Sequence, residues 1–384
     1  MTVSPEVITL HTRALVVDLH VHPSMKMYLF NKKFERRYRS TGAFNPFGMR
    51  TDFPTLHDGG INVIVSSILL VERKFVDDCW LLKLVSSFAP KKWRDMIRRN
   101  PFEQTNRIFD DFEKGVQNAH ASGRAPAEIA RSYSNMQRIL TENKMAVLLS
   151  LEGAHSLDGK LDNLRKFYDR GVCSLTLAHF YENDAIFPTN GIPKNMKMFG
   201  CFRSKKDLTK GLTNFGIQVV DEMLNLGMLI DLTHATPKAR QQVYDIHRNH
   251  ATPRPLVLSH AGVTAYNDVP YNLTTNEIKT VADSGGVIGV IFMNHWLADS
   301  DEKPGIHFIV DTMKHLKNTG GIDCVAIGTD FDGFTDPPDD LKDPAGMPRL
   351  TDALLKAGLS SDEIEKILGQ NALRALKDSW GKTT

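Results

Sequence analysis

Cysteine is scarce in this chain, with four in 384 residues. Cys79, Cys173, Cys201 and Cys324 are widely spaced and form no CxxC pair. That pattern speaks against a disulfide framework and predicts isolated thiols. Charge of one sign is also missing: 47 basic against 45 acidic side chains leave a formal net charge of +2. Such a balance gives no support for nucleic-acid binding. No apolar run approaches the roughly 18 to 20 residues of a membrane span. The opening Met1-Thr2-Val3-Ser4-Pro5-Glu6 has no basic stretch followed by an apolar one, so no secretory signal is read and a cytoplasmic enzyme is expected. Internal repeats and low-complexity linkers are lacking too. What remains, 41% hydrophobic and 24% charged, is ordinary for a soluble globular protein.

Against that plain background, three strand-like segments end in histidine and a fourth in aspartate. They read Val16-Val17-Asp18-Leu19-His20-Val21-His22, Leu229-Ile230-Asp231-Leu232-Thr233-His234, Leu256-Val257-Leu258-Ser259-His260 and Val325-Ala326-Ile327-Gly328-Thr329-Asp330. Each is a short apolar run of buried-strand type followed by a side chain that ligates metals. A parallel barrel gathers the carboxyl ends of its strands on one rim, where residues distant in sequence meet. The pattern predicts a metal centre there, and with it a metallohydrolase.

Periodicity gives eight candidate strands, near 15–20, 61–68, 146–152, 174–179, 229–234, 256–260, 286–292 and 325–330. Helical patterns separate most of them, including Gly211 to Gly227 and Asn276 to Ser284. The expected fold is α/β, a (β/α)8 TIM-type barrel with insertions after strands 1, 2 and 4. Residues 1–384 are read as one domain, with the barrel core at about 15–375. The insertions are residues 23–55, a long loop; 69–145, with extra helices; and 180–210, another loop. Loops after strands cap the catalytic face, so the first and third should shape the substrate pocket.

His20 and His22 are two apart, so both side chains can face one side of a strand. Glu152 closes Val147-Leu148-Leu149-Ser150-Leu151, where a carboxylate is costly unless paired or bound to a metal. Taken alone it reads equally as a helix cap or salt-bridge partner. His179 ends Ser174-Leu175-Thr176-Leu177-Ala178, and by itself reads as a hydrogen-bonded rim histidine. His20, His22, Glu152, His234, His260 and Asp330 together are too many ligands for one tetrahedral ion, so two divalent ions, zinc expected, bridged by Glu152 are the economical solution. His11, His57, His120, His247, His250, His307 and His315 read as surface or packing residues. His155 and His295 lie close enough to strand ends to support the centre from behind.

These segments resemble the membrane (renal) dipeptidase family of the amidohydrolase superfamily. The matching stretches include Leu149-Ser150-Leu151-Glu152-Gly153-Ala154-His155, Leu175-Thr176-Leu177-Ala178-His179 and Gly328-Thr329-Asp330-Phe331-Asp332-Gly333. Gly211-Leu212-Thr213-Asn214-Phe215-Gly216, Asn272-Leu273-Thr274 and the tail Ile367 to Arg374 match as well, so the likeness runs from about residue 15 to about 375. The resemblance implies a (β/α)8 barrel with a binuclear zinc site held by the six residues named, Glu152 bridging. It implies that Asp330 manages the proton of the attacking water and that His179 steadies the developing oxyanion. A small-molecule substrate and a homodimer are implied too.

Two departures from the family pattern stand out. The first strand usually carries histidine-x-aspartate, whereas His22 occupies the aspartate position here. A neutral ligand in place of an anion leaves an ion pair about one unit more positive. Where the family has an arginine that grips the substrate's carboxylate, Pro270-Tyr271-Asn272-Leu273-Thr274 places Tyr271. Tyrosine supplies no cationic fork. Tyr271 and Asn272 are the substrate-binding candidates of this stretch, with His179. The basic loops carrying Lys32, Lys33, Arg36, Arg37 and Arg39, and Lys194, Lys197, Arg203, Lys205 and Lys206, read first as solvated charged faces.

The leading expectation is hydrolysis of a small amide, dipeptide or N-acyl amino acid by metal-activated water. An alternative, motivated by Tyr271, is a lactone, cyclic amide or other substrate lacking a free carboxylate. A third reading is a non-catalytic dipeptidase-like binding protein.

Overall fold

The computed structural model describes residues 3–39, 45, 47–189, 191–192, 197, 200–298, 305–333 and 336–382. Strands β1 (Val16–Val21), β2 (Ile61–Leu69), β3 (Ala127–Ala130), β4 (Met145–Glu152) and β5 (Val172–Thr176) come first. They are followed by β6 (Leu229–Asp231), β7 (Leu256–Ala261), β8 (Val287–Val290) and β9 (Val325–Ile327). Every named pair is parallel. The order is β2-β1-β9-β8-β7-β6-β5-β4, and β2 then pairs with β4 from Val63↔Ala146 to Leu69↔Glu152. That last pairing closes eight strands into a barrel, with helices outside it. Strands buried on both faces need continuous apolar runs, which is why β1 and β4 are buried along their whole lengths.

β3 is the ninth strand, absent from the eight read in sequence. Its four residues pair with Met145 to Leu148, and β5 takes up the pairing with β4 from Leu149 onward. Ala-Glu-Ile-Ala is too short and too mixed to stand out as an apolar run.

The two helices read from periodicity form within a few residues of their expected limits. Asn214–Leu226 starts at a Thr213 cap and stops at Gly227, whose φ of 76° suits glycine. Thr275–Asp283 opens with a capping box between Thr274 and Glu277. The long loop expected after the first strand is instead opened by the helix Pro23–Phe30 and closed by Phe53–Asp58. Pro23 ends the strand but also begins this helix at a position where its missing N–H costs nothing. Residues 69–145 carry the expected extra helices, Arg73–Asp77, Trp80–Phe88, Lys91–Arg98, Pro101–Ala121 and Tyr133–Thr141.

Three strands stop earlier than their sequence patterns suggest. The ladders of β5, β6 and β9 end at Thr176, Asp231 and Ile327, so His179, His234 and Asp330 sit three residues beyond them. His234 (φ 65°) and Asp330 (φ 57°) adopt left-handed backbone, which no strand tolerates. Such conformations cost about 1–3 kcal/mol and persist where surrounding structure holds them, commonly at functional sites. Behind them the barrel is tight. A Cβ on Gly328 would lie 1.6 Å from the Ser259 carbonyl oxygen, and one on Gly289 2.1 Å from it.

The expectation of four isolated thiols is corrected. Cys79 and Cys201 form a disulfide across 122 residues, while Cys173 and Cys324 are free and buried. Sequence spacing does not reveal a bridge between two loops that only the barrel brings together. The tail closes the opposite end of the barrel: Asn371 donates to the carbonyls of Ile322 and Val325.

Candidate metal centre and active site

His20 and His260 project from β1 and β7, Glu152 ends β4, and His22, His234 and Asp330 follow β1, β6 and β9. Their ligating atoms converge. His22 Nε2 lies 3.1 Å from His20 Nε2, 3.4 Å from Glu152 Oε2 and 3.2 Å from Asp330 Oδ1. His234 Nε2 lies 3.1 Å from His260 Nε2 and 3.4 Å from Glu152 Oε1. His20 Nε2 is also 3.4 Å from Glu152 Oε1. Three compact ligand groups result: His20, His22 and Glu152; Glu152, His234 and His260; His20, His260 and Asp330. All six side chains are buried.

The donor set fits divalent cations. Imidazole nitrogens facing each other at 3.1 Å present lone pairs to one another unless a cation or proton lies between them. Glu152 Oε2 has no hydrogen-bond partner among the described residues although it is buried. Imidazole plus carboxylate is the ligand mixture zinc accepts. Glu152 belongs to two of the groups, with Oε1 near His20, His234 and His260 and Oε2 near His22.

Electrostatics reflect the same crowding. Burial would lower His20, but the charges of Glu152, Asp330 and Asp231 outweigh it and raise it to about 9. Burial would raise Glu152, yet His179 and His20 hold it well below the usual carboxylate range. His260 is driven well below the ordinary imidazole value by burial and by the neighbouring His20 and His234.

Residues that the sequence reading did not single out hold the candidate ligands in place. Ser259 Oγ lies 3.1 Å from His20 Nδ1 and 2.9 Å from His260 Nδ1. Asp231 accepts from the hydroxyls of Ser259, Thr176 and Thr233 and from the backbone N–H groups of Thr233 and Ser259. Asp18 accepts from Thr329 and from the His20 N–H, joining β1 to the loop that carries Asp330. A signal for both was present: each aspartate interrupts a buried apolar strand shortly before a histidine. Glu72 had no such signal. It accepts from His179 Nδ1 at 2.9 Å and from the N–H groups of Phe180 and Tyr181.

His179 lies beside the centre, its Nε2 4.0 Å from Glu152 Oε2. Burial would lower its pKa, but Glu72 and Glu152 raise it to about 8. His155 bonds the Leu70 carbonyl at 2.7 Å and lies near Glu72 and His179, a supporting position. His11, read as a packing residue, is buried between Thr351 and the Gly59 carbonyl.

Above the centre, His22, Glu152, His179, His234 and Asp330 share a pocket with apolar walls of Leu69, Val71, Phe75, Phe180, Met293 and Trp296. Tyr271 is not among the lining residues. Its ring packs on Trp296 at 4.3 Å between centroids. Asn272 is buried, its side chain donating to the carbonyls of Asn267 and Trp296 and accepting from the Gly262 N–H. Both residues contact Trp296, which lines the pocket, Tyr271 through its ring and Asn272 through the Trp296 carbonyl.

In the first basic loop, Lys32 lies over the Tyr38 ring and Arg37 pairs with Asp58, while Lys33, Arg36 and Arg39 are exposed. In the second, Lys206 lies over the Tyr181 ring, and Lys194 lies outside the described residues.

Comparison with known proteins agrees with this architecture. The membrane dipeptidase family (peptidase family M19) is matched over residues 5–381. An uncharacterised Klebsiella pneumoniae protein encoded in the pqqA 5′ region is 36% identical over 68% of this chain and 92% of its own length. Dipeptidase tcpJ of Claviceps purpurea is 31% identical over 65% of this chain, a stretch spanning 55% of that protein's length. A Rhodobacter sphaeroides metallopeptidase, solved with a phosphinate mimic of the dipeptide L-Ala-D-Ala, superposes with a TM-score of 0.73 at 21% identity, over 96% of this chain and 99% of that one. With a closed eight-stranded parallel barrel and a histidine–carboxylate centre on its rim, the chain belongs to the membrane dipeptidase family and is a metallohydrolase of that dipeptidase type.

Proposed function

We propose that this metallohydrolase cleaves a small amide, a dipeptide or N-acyl amino acid, with two divalent ions, zinc foremost. The observation that carries this reading is the convergence of four histidine Nε2 atoms on Glu152, those of His20, His234 and His260 facing Oε1 and that of His22 facing Oε2. His20, His22 and Asp330 would hold one ion, His234 and His260 the other, with Glu152 between. Bound there, such ions polarise a carbonyl and acidify water. Asp330, its Oδ1 directed to the same point, accepts the proton of the attacking water and returns it to the leaving amine. His179, with Nδ1 tied to Glu72, turns Nε2 toward the centre and donates a hydrogen bond to the oxygen on which charge develops. The apolar walls exclude bulk water and accept an apolar side chain or acyl group. The dipeptide mimic held by the Rhodobacter relative and the dipeptidase name of the Claviceps relative support the substrate class.

The test measures metal content and hydrolysis together, across L-L and L-D dipeptides, N-acyl amino acids and simple lactones. About two zinc ions per chain with dipeptide cleavage is the expected result. Stoichiometric metal with no amide cleavage would overturn the proposal.

A second reading rests on Tyr271, which stands where the family's carboxylate-gripping arginine is expected and packs on Trp296. It assigns a lactone, cyclic amide or other substrate without a free carboxylate. On this reading Tyr271→Arg raises dipeptide hydrolysis relative to lactone hydrolysis; an unchanged ratio counts against it.

The Cys79–Cys201 bridge supports an oxidising compartment rather than the cytoplasm expected from the N-terminal sequence. The homodimer implied by the family resemblance is part of the proposal, and sedimentation of the purified protein tests it. Among the described residues, no helix is long and apolar enough to cross a membrane.

A further inference from the structure

The helix Trp80–Phe88 belongs to the insertion between β2 and β3, and its residues divide sharply by exposure. Leu82 packs against the cluster of Cys79, Ile192, Cys201 and Phe202, and Ser86 is buried. Trp80, Leu81, Leu84, Val85 and Phe88 are exposed, Trp80 by 59% and Phe88 by 86%. At about 100° per residue these five fall within an arc of about 140°, one continuous face. They are five of the eleven large apolar side chains exposed in the described chain, and the other six are scattered. A concentrated apolar face of this kind marks a binding surface.

The next helix, Lys91–Arg98, begins three residues later. Lys91, Lys92, Arg94, Arg98 and Arg99 crowd this segment against a single acid, Asp95, which pairs with Arg99. Met96, Trp93 and Ile97 turn into the core, leaving Lys91, Arg94 and Arg98 exposed. The apolar face ends at Phe88, three residues before the basic one begins at Lys91. The disulfide from Cys79, the residue before Trp80, anchors the apolar helix to the loop after β5.

We propose that this helix pair docks on an anionic lipid surface. Trp80, Leu84 and Phe88 enter the boundary between headgroups and acyl chains, and Lys91, Arg94 and Arg98 meet the headgroups. An apolar helix face beside a cationic one fits the membrane interface, and nine residues are too few to span it. A second copy fits less well. A twofold interface sets the same patch against itself, which would bring the two basic rims together, whereas an anionic bilayer complements both features. Phe75, in the same insertion, lines the pocket, so the pocket wall and the docking face share one structural unit.

The test is flotation of the full-length protein with vesicles of phosphatidylcholine alone and of equimolar phosphatidylcholine and phosphatidylserine. Flotation with the anionic vesicles at low salt, weakened by high salt, is expected. The double variant Leu84→Ser, Phe88→Ser should abolish it, and each of Lys91→Ala, Arg94→Ala and Arg98→Ala should weaken it about fivefold. Melting temperature and hydrolysis of a soluble substrate should stay unchanged in all of them, which separates lost docking from lost folding. Absence of flotation with anionic vesicles, or flotation that survives in the double variant, overturns the proposal. Concentration-dependent self-association abolished by that variant, without lipid binding, would assign the face to a second copy instead.

Discussion

Ser259 gives its single hydroxyl proton to Asp231 at 2.5 Å. Its lone pairs are thereby left to accept from the Nδ1–H groups of His20 and His260. One side chain on β7 fixes the tautomer of two candidate ligands on different strands, turning both Nε2 atoms toward the centre. Partners of this kind are worth about 10- to 100-fold in metal affinity. Ser259→Ala should lose metal affinity in that range, measured by competition with a chromophoric chelator, while Ser259→Thr retains most of it if the methyl is accommodated. Wild-type affinity in the alanine variant would refute this role.

Glu72 and His179 set a pH dependence. His179 is raised from 6.5 to about 8, so the stabilisation of its charged form is fully present below pH 6.5 and is lost as pH rises through about 8. Glu72 is lowered from 4.5 to about 2, so its contribution is present above pH 4.5 and is lost only as pH falls through about 2. Only the imidazolium donates from Nδ1 to Glu72 and from Nε2 to substrate together. Hydrolysis should therefore decline on the alkaline side, and Glu72→Gln should move that decline to lower pH. His179→Ala should lower kcat by roughly 100-fold or more, the usual loss for an oxyanion donor, with metal content unchanged. A pH–rate profile of Glu72→Gln superimposable on wild type would rule out the coupling.

Metal removal should both abolish hydrolysis and lower the melting temperature. A ligand held only by the folded state stabilises it by about 2.7 kcal/mol at a hundredfold excess over its Kd. Chelation followed by stepwise zinc addition, read by scanning calorimetry and by turnover, should restore both in parallel. Glu152→Gln should respond weakly to added zinc because its carboxylate serves both ligand groups. Equal melting temperatures with and without metal would argue against a centre built by these six residues.

The Cys79–Cys201 bridge closes a loop across 122 residues, and bridges over such spans stabilise by about 2–4 kcal/mol. Phe75 packs on Phe202 beside the bridge, and Phe75 and Phe180 line the pocket. Cys79→Ser with Cys201→Ser should lower the denaturation midpoint and raise KM more than it lowers kcat, since the reacting groups lie on other segments. Mass spectrometry under non-reducing conditions checks the pairing itself.

The barrel and the six-residue centre were legible in the sequence for one reason. Strands buried on both faces spell themselves as short apolar runs, and a polar ligand at the end of such a run is conspicuous. His20, His22, Glu152, His234, His260 and Asp330 all announce themselves in this way, as does His179. Asp18 and Asp231 left a fainter trace, a carboxylate inside an apolar strand, whose meaning depends on which hydroxyl lies across the ladder. Glu72 left none, because a glutamate in a loop resembles any surface charge until the fold buries it against His179.

The chain's local chemistry thus determined its class, its strand ends and the kind of atoms gathered there, since apolar periodicity and ligand type are properties of neighbouring residues. The tertiary structure decided what depends on closure. It paired Cys79 with Cys201, set His234 and Asp330 in left-handed backbone, and packed Tyr271 on Trp296. Those are relations between segments far apart in sequence, and they take form only when the barrel brings its loops to one rim.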